Sequence, residues 1–202
     1  MRGKLTGPDL HAGIARMHAR IDALRESLNA ADRVLGDGDT GMTVAAVVEA
    51  WSTVPESADV GAMLEALGRA GRRATGSSLG AVLATALVAA GKQCAGATSL
   101  DAARLAAAAG AGIEAIEARS GATPGDKSIL DSLLAVRDAV ASATPDASLA
   151  IVCLAATESA LAQFRARPAR IGRARMYGEK GVGHDDPGML AARGLLRAAL
   201  DA

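Results

Sequence analysis

Apolar residues recur along most of the chain at intervals of three and four positions, which is the spacing of amphipathic helices. Gly, Pro, Ser and Asp residues interrupt this pattern and mark the ends of helices. The pattern predicts eight helices: one through Leu10, Ile14, Met17, Ile21, Leu24 and Leu28, and others from about Thr40 to Trp51, after Ser57, from about Ser78, from an N-cap at Ser99 to about Arg119, from Lys127 or Ser128, from about Ala147 to Arg165, and from about Gly188 to Leu200. Val and Ile form no short alternating runs, so we predict no strand and an all-α fold.

The composition favours a core made of closely packed helices. Half of the 202 residues are apolar, but only Trp51, Phe164 and Tyr177 are aromatic. The core must therefore consist of Ala, Leu, Val, Ile and Met, and Ala is the strongest helix former. A chain of this length can bury a sizeable core, and we find neither a composition shift nor a tandem repeat. We therefore expect a single domain over residues 1–202.

Charge and hydropathy exclude several classes of function. The 22 basic and 22 acidic residues balance, so we expect no nucleic-acid partner. The N-terminal residues lead into polar sequence rather than an apolar signal region, and the apolar stretch from Val82 to Ala90 is too short to span a bilayer. We therefore expect a cytoplasmic protein with no membrane partner. Cys94 and Cys153 lie among apolar residues and are expected to be buried thiols.

Residues 32–43 contain the strongest chemical pattern in the chain. Three carboxylates, Asp32, Asp37 and Asp39, fall within eight residues and are interspersed with glycines. Their mutual repulsion favours a bound cation, and hard cations such as Mg²⁺ and Ca²⁺ prefer carboxylate oxygens. An EF-hand that starts at Asp37 needs Glu at its twelfth position, where the chain has Val48, so that calcium loop is excluded. The remaining alternatives are an Asp-rich turn that caps a helix and a Mg²⁺ site completed by phosphate oxygens.

No Walker A pattern occurs in the chain, so the phosphates of a bound nucleotide would have to be held in another way. The helix start after the aspartates and two further segments are the places to consider. Thr40 and Thr43 lie at the start of a predicted helix, where free backbone N–H groups and the helix dipole suit an anion. The small-residue turn from Gly76 to Gly80 fits either a second anion-binding helix start or an ordinary cap. The segment from Gly121 to Ser128 indicates a turn followed by a cap.

Residues 168–187 form a long segment with little apolar periodicity, which is typical of functional or mobile loops. Arg173 has the planar donors that bind phosphate oxygens in pairs. Asp186 and the Pro-Gly pair that follows it indicate a turn into the last helix. His184 beside two aspartates fits a metal ligand, a phosphoryl acceptor or a hydrogen bond that fastens the loop.

Four segments in this order, residues 31–43, 76–85, 121–133 and 172–188, resemble the DhaL family, the nucleotide-binding L subunit or domain of dihydroxyacetone kinases. The resemblance implies an eight-helix antiparallel barrel with a nucleotide at one end and two Mg²⁺ ions on Asp32, Asp37 and Asp39. It also implies nucleotide contacts at Thr40, Gly41, Met42, Thr43, Ser77, Ser78, Gly121, Ile129, Arg173, Asp186, Pro187 and Gly188. Two positions depart from the family pattern: the 76–80 turn differs from the usual Gly-Gly-small-Ser-Gly, so two registers fit, and Ile129 stands where Met is frequent.

The function that the resemblance implies is phosphoryl transfer from Mg²⁺-bound ADP or ATP to dihydroxyacetone on a partner K subunit. The length of the chain favours the phosphotransferase-system mode, in which a phosphohistidine protein rephosphorylates the bound ADP. The alternatives are the nucleotide subunit of an ATP-dependent triose or tetrose kinase and a non-enzymatic, ADP-dependent regulatory protein. We expect a homodimer or a hetero-oligomer. Two Mg²⁺ ions would spread the charge on the transferring phosphoryl group, and Arg173 would add positive charge from the loop. No general base is required from this chain, since the acceptor is held by the partner.

Overall fold

The structure is a computed structural model that describes residues 3–144 and 146–200. Its α-helices are α1 (Gly7–Ala19), α2 (Ile21–Leu35), α3 (Thr40–Ser52), α4 (Val60–Ala74), α5 (Ser78–Gln93), α6 (Ala102–Ser120), α7 (Ile129–Ala141), α8 (Leu149–Arg165) and α9 (Pro187–Leu200). A 3-10 helix covers Arg173–Gly181, and two short strands, β1 (Leu5–Thr6) and β2 (Ser99–Leu100), pair in antiparallel fashion. The prediction of an all-α fold is confirmed. The prediction of no strand is wrong only for this pair of two-residue strands, which are too short to give an alternating pattern in the sequence.

The first predicted helix is in fact two helices, α1 and α2, which meet at Arg20. Arg20 has φ −111° and ψ 6°, and its N–H group bonds to the Met17 carbonyl oxygen at 3.1 Å. The apolar positions of both helices pack against the same central cluster. Because the periodicity continues across the junction without Gly or Pro, the sequence pattern predicts one helix. The predicted number of helices is therefore one fewer than the number of α-helices in the described residues.

The predicted N-cap at Ser99 is also wrong. Ser99 pairs with Thr6 in the small sheet, and the side chain of Asp101 caps α6 by accepting the Arg104 N–H group at 2.9 Å. Both residue types are good N-caps, so the pattern alone did not distinguish them. The alternative start at Ser128 is confirmed, because Ser128 caps α7 in a reciprocal capping box with Asp131.

The helices pack in a closed ring. Each helix from α2 to α8 contacts the next one along the chain, and α9 returns to contact α7, α8, α1 and α2. Short connections make most neighbouring helices antiparallel, in agreement with the expected helical barrel. The largest core cluster contains residues of α1, α2, α3, α4 and α9.

Two predictions about individual side chains and segments were also tested by the structure. Cys94 and Cys153 are buried free thiols, as expected. Burial raises the pKa of Cys153 to about 11, so this thiol is unreactive at neutral pH. No helix in the described part of the chain is long and apolar enough to cross a membrane.

Candidate functional site

The three aspartates lie together where α2 ends and α3 begins. Asp32 belongs to the last turn of α2, whereas Asp37 and Asp39 lie in the connection to α3. One carboxylate oxygen of each residue lies within 4.8 Å of the others. Asp32 is buried and the other two are exposed. Among the described residues, no other group of three or more His, Cys, Asp or Glu side chains is close enough to hold a metal ion.

The connection between α2 and α3 is folded around the carboxylate of Asp32. Its Oδ2 atom accepts the backbone N–H groups of Asp39 at 2.9 Å and Thr40 at 3.0 Å. A side chain at Gly36 would collide with this carboxylate, and Gly38 has φ +79°, which favours glycine. The two glycines therefore allow the chain to fold back so that the other two carboxylates approach Asp32.

The prediction of free N–H groups at the start of α3 is wrong. Gly41 and Met42 both donate their N–H groups to Oδ1 of Asn29, at 2.8 and 3.2 Å. The N–H group of Thr40 is already bonded to Asp32. Side chains of α2 therefore satisfy the donors that a helix N-terminus otherwise leaves open. What α3 presents at the site is its threonine side chains rather than its backbone.

The guanidinium group of Arg173 lies against two of the three carboxylates. It forms an ion pair with Asp37, and its Nη1 atom lies 3.6 Å from Oδ1 of Asp39. Both ion pairs are largely exposed, so each contributes little to stability. A metal ion on the three carboxylates would compete with Arg173 for the same oxygens.

A cavity of about 650 Å³ opens beside the aspartates, a volume typical of small-molecule sites. Part of its wall is polar and contains Asp32, Asp37, Asp39, Thr40, Thr43, Ser77 and Ser78. Another part is apolar and contains Val82, Ile116, Ala122, Ile129, Leu130 and Ile171. Such a cavity can accommodate a ligand with one anionic and one flat, apolar portion.

Most of the predicted nucleotide contacts lie in this wall: Thr40, Thr43, Ser77, Ser78, Ile129, Arg173, Asp186, Pro187 and Gly188. Three others do not. Gly41 is buried against α2, and Met42 is exposed. Gly121 ends α6 with φ 68°, and its neighbours Ser120 and Ala122 line the wall instead.

The model of one protein family, described as the DAK2 domain, matches residues 34–201 of this chain. The chain belongs to the DAK2 domain family. The matched range begins just after Asp32 and includes the other two aspartates and the segments that form the rest of the cavity wall.

Two curated relatives of very different length match this chain. The human triokinase/FMN cyclase is 35% identical over 196 residues, which are 93% of this chain and 34% of the human protein. The ADP-binding subunit DhaL of the PEP-dependent dihydroxyacetone kinase from Escherichia coli is 29% identical over 171 residues, 81% of each chain. This DAK2 chain therefore spans about a third of the first relative and most of the second. The resemblance to DhaL is confirmed, and the named relatives are kinases.

A solved structure shows the same fold. The dihydroxyacetone kinase from C. freundii, crystallised with AMP-PNP and Mg²⁺, superposes with a TM-score of 0.70 and 22% sequence identity. The match covers 95% of this chain and 33% of the kinase. At this level of identity, the match establishes the fold of the DAK2 chain.

Sequence reasoning missed two polar residues that shape the site of the DAK2 chain. Asn29 accepts the N–H groups of Gly41 and Met42 at the start of α3. Lys127 is a buried lysine whose ammonium group donates hydrogen bonds to the segment after α8. Neither residue stands in a recognisable motif for these contacts. Apart from Ile129, the apolar wall was missed, because Val82 and Ile116 have the same helical spacing as ordinary core residues.

His184 lies outside the cavity wall. Its side chain is exposed, and its backbone N–H group bonds to the Gly181 carbonyl oxygen at 3.3 Å. Within the described residues it belongs to no cluster that could hold a metal ion. The neighbouring Asp185 forms a two-point ion pair with Arg165, at 2.9 and 2.6 Å, so a fastening contact of the kind that was one alternative for His184 is made by Asp185.

Asp186 caps α9 in the DAK2 chain and is buried in the cavity wall. Its Oδ1 atom accepts the N–H group of Met189 at 2.9 Å. Burial raises the pKa of Asp186 to about 6, because desolvation outweighs the hydrogen bonds from Met189 and Gly188 and the attraction of Lys127. In the unfolded chain this carboxyl group titrates near its ordinary value of 3.8.

The Asp186→Asn variant should therefore gain stability relative to the wild type as pH rises. Between pH 4 and 6 the unfolded chain releases its proton first, so ionisation of Asp186 lowers the stability of the wild type. Asn caps a helix about as well as Asp but does not ionise. At about 1.4 kcal/mol per pKa unit, the variant should be more stable by up to about 3 kcal/mol above pH 6. Urea unfolding of both proteins at pH 4, 5, 6 and 7 measures this, and a difference that does not change with pH would contradict it.

Proposed function

We propose that this chain is the nucleotide-binding, phosphoryl-transferring unit of a dihydroxyacetone-type kinase. The observation that carries the proposal is a trio of carboxylates with oxygens within 4.8 Å, beside a cavity of about 650 Å³, in a DAK2 chain. The donor set fits Mg²⁺, which binds a few carboxylates together with the phosphates of its substrate. We assign two Mg²⁺ ions to Asp32, Asp37 and Asp39. When bound, they neutralise the charge on the phosphates during transfer.

The residues of the chain itself bind and orient the nucleotide. The hydroxyl groups of Thr40, Thr43, Ser77 and Ser78 line the same cavity as the carboxylates and donate to phosphate oxygens. The apolar wall around Ile129 receives the adenine ring. Arg173 exchanges its carboxylate partners for phosphate oxygens when cations occupy the aspartates, because its planar donors bind either anion.

The acceptor is held by a second protein or domain, which we propose is a dihydroxyacetone-binding K subunit. Five large apolar side chains are exposed in the described part of the chain: Val34, Met42, Ile151, Met176 and Tyr177. All except Ile151 flank the aspartates. Val34 and Met42 lie on either side of the connection, Met176 lines the cavity, and Tyr177 donates its hydroxyl to the Gly36 carbonyl oxygen at 3.3 Å. Exposed apolar groups beside a reactive site are typical of a docking surface.

The phosphate donor is either exchangeable ATP or a phosphohistidine protein. The phosphohistidine protein is the donor predicted from the sequence, and the E. coli relative, a PEP-dependent ADP-binding subunit, supports it. The higher identity to the human triokinase favours ATP. Our proposal is therefore an ATP-dependent triose or tetrose kinase unit, with the phosphotransferase-system subunit as the second candidate.

A reconstitution with two donors tests these proposals. The purified protein is first examined by mass spectrometry for bound nucleotide and then mixed with a K subunit and dihydroxyacetone. We expect dihydroxyacetone phosphate to form with Mg²⁺-ATP as the only donor, and no nucleotide to be retained. Retained ADP, with product only when phosphoenolpyruvate and the phosphohistidine carrier are present, would select the second candidate. If the protein binds no nucleotide and neither donor yields product, the proposed function is wrong.

A further inference from the structure

Lys127 is the most deeply buried charged side chain in the described structure, at 1% exposure. Its ammonium group donates to three backbone carbonyl oxygens: Arg167 at 2.7 Å, Gly181 at 3.1 Å and Arg165 at 3.3 Å. An ammonium group has three N–H donors, so these contacts use all of them. Lys127 itself has φ 60°, a left-handed conformation that is uncommon for residues other than glycine.

The three carbonyl groups belong to the two ends of one segment. Arg165 is the last residue of α8 and Arg167 lies two residues beyond it, whereas Gly181 ends the 3-10 helix. Two backbone hydrogen bonds reinforce the closure: Arg170 N–H donates to Asp126 at 2.9 Å, and Gly183 N–H donates to Arg165 at 2.8 Å. The ammonium group of Lys127 therefore ties the start and the end of residues 165–181 to the turn before α7.

The tied segment has little structure of its own to hold it in place. Its 3-10 helix has poorer hydrogen-bond geometry than an α-helix and is interrupted at Gly178. Its apolar contacts in the described structure are few: Ala169 and Ala174 form a small cluster with Leu35, and Ile171 is partly buried against the cluster that contains Ile113 and Leu130. Yet this segment carries Arg173, which reaches Asp37 and Asp39.

We propose that Lys127 is a positioning residue, which sets the place of Arg173 over the aspartates by fixing both ends of residues 165–181. We assign its effect to Arg173 because Lys127 is not among the residues that line the cavity. The inference rests on the proposed function, because the effect of the positioning is read as affinity for Mg²⁺-nucleotide. An apolar residue at this position would fill the space but remove one donor from each of the three carbonyl groups. Gly183 and His184 would still donate their N–H groups to the carbonyl oxygens of Arg165 and Gly181, whereas the Arg167 carbonyl would lose its one described donor.

The first test compares Lys127→Met, Arg173→Gln and the double variant by calorimetric titration with ADP in Mg²⁺. We expect each single change to weaken binding by about 10-fold to 100-fold, as removal of supporting contacts does at metal sites. The double variant should bind no more weakly than the weaker single variant, because both changes remove the same contact. Additive losses would overturn the proposal, and so would unchanged affinity of Lys127→Met.

A stability control separates positioning from folding. Val140 is a buried core residue in the same helix, α7, within a different apolar cluster. Val140→Ala should lower the melting temperature but leave nucleotide affinity unchanged. If Val140→Ala loses affinity as Lys127→Met does, Lys127 acts only through stability, and the proposal is wrong.

A second measurement needs no change at Lys127, in case Lys127→Met does not fold. Hydrogen exchange of residues 169–181 is compared between the wild type and Arg173→Gln. Equal protection supports the proposal, because the segment is then held from the Lys127 end. Loss of protection in Arg173→Gln shows that Arg173 itself anchors the segment and overturns the proposal. If the wild type binds no nucleotide, the proposed function fails, whereas this exchange experiment still reports on the role of Lys127.

Discussion

Replacing Asp37 with Asn should weaken the binding of ADP or ATP in Mg²⁺ by about 100-fold or more, which corresponds to about 2.8 kcal/mol. The change keeps the size of the side chain but removes one of three charges whose oxygens lie within 4.8 Å. Asp37 is exposed and accepts no backbone N–H group among the described hydrogen bonds, so the fold should be unaffected. Calorimetric titration with and without Mg²⁺ measures the effect, and the two proteins should differ only when the metal is present.

The control for this experiment is Asp22→Asn. Asp22 lies near the start of α2, is largely exposed and pairs with Arg25 at 3.0 Å, so the substitution removes the same charge at a distance from the cavity. It should leave affinity within about twofold, since exposed ion pairs contribute little. An Asp37→Asn variant that binds Mg²⁺-ADP as tightly as the wild type would remove the basis for the assigned metal site.

The parts of the site that could be predicted from the sequence are those whose chemistry is local. Asp32, Asp37 and Asp39 fall within eight residues, and the glycines between them predict a tight connection. The geometry of this connection depends only on neighbouring residues, so the sequence pattern was sufficient to bring the three carboxylates together. The same holds for the cap at Ser128, whose partner Asp131 lies three residues away.

The parts that could not be predicted depend on contacts between distant residues. Lys127 finds its acceptors 38 to 54 residues further along the chain, and nothing around it in the sequence indicates which carbonyl groups it meets. Asn29 accepts hydrogen bonds from backbone N–H groups 12 and 13 residues further along the chain. The general rule that the first N–H groups of a helix lack partners within the helix therefore did not predict free donors correctly here. The break between α1 and α2 at Arg20 was not predicted for the opposite reason. Both helices bury their apolar residues in the same core, so the apolar spacing continues across the break.

The crossing of α2 and α3 limits what residue 41 can be. A Cβ atom at Gly41 would collide with the backbone carbonyl oxygen of Arg25 and approach Oδ1 of Asn29 to 2.6 Å. The Arg25 carbonyl belongs to the backbone of α2, so it cannot move aside as a flexible side chain would. Gly41 is also one of the predicted nucleotide contacts, and in the structure its lack of a side chain serves helix packing.

The Gly41→Ala variant should therefore lose about 3 kcal/mol of stability or more, at the upper end of the range for overpacked cores. It should also lose Mg²⁺-nucleotide affinity, because α3 can yield only by moving away from Asn29 and Asp32, which hold the connection that carries the other two aspartates. Urea unfolding measures the first effect and calorimetry the second.

Gly110→Ala is the matched control: Gly110 lies within α6, where the nearest atom to an added Cβ is Cδ of Arg137 at 3.9 Å. That change should stabilise the protein by about 0.5 to 1 kcal/mol through helix propensity alone. If Gly41→Ala instead behaves like Gly110→Ala, the two helices do not approach as closely as the structure shows, and the position of the aspartates must be reconsidered.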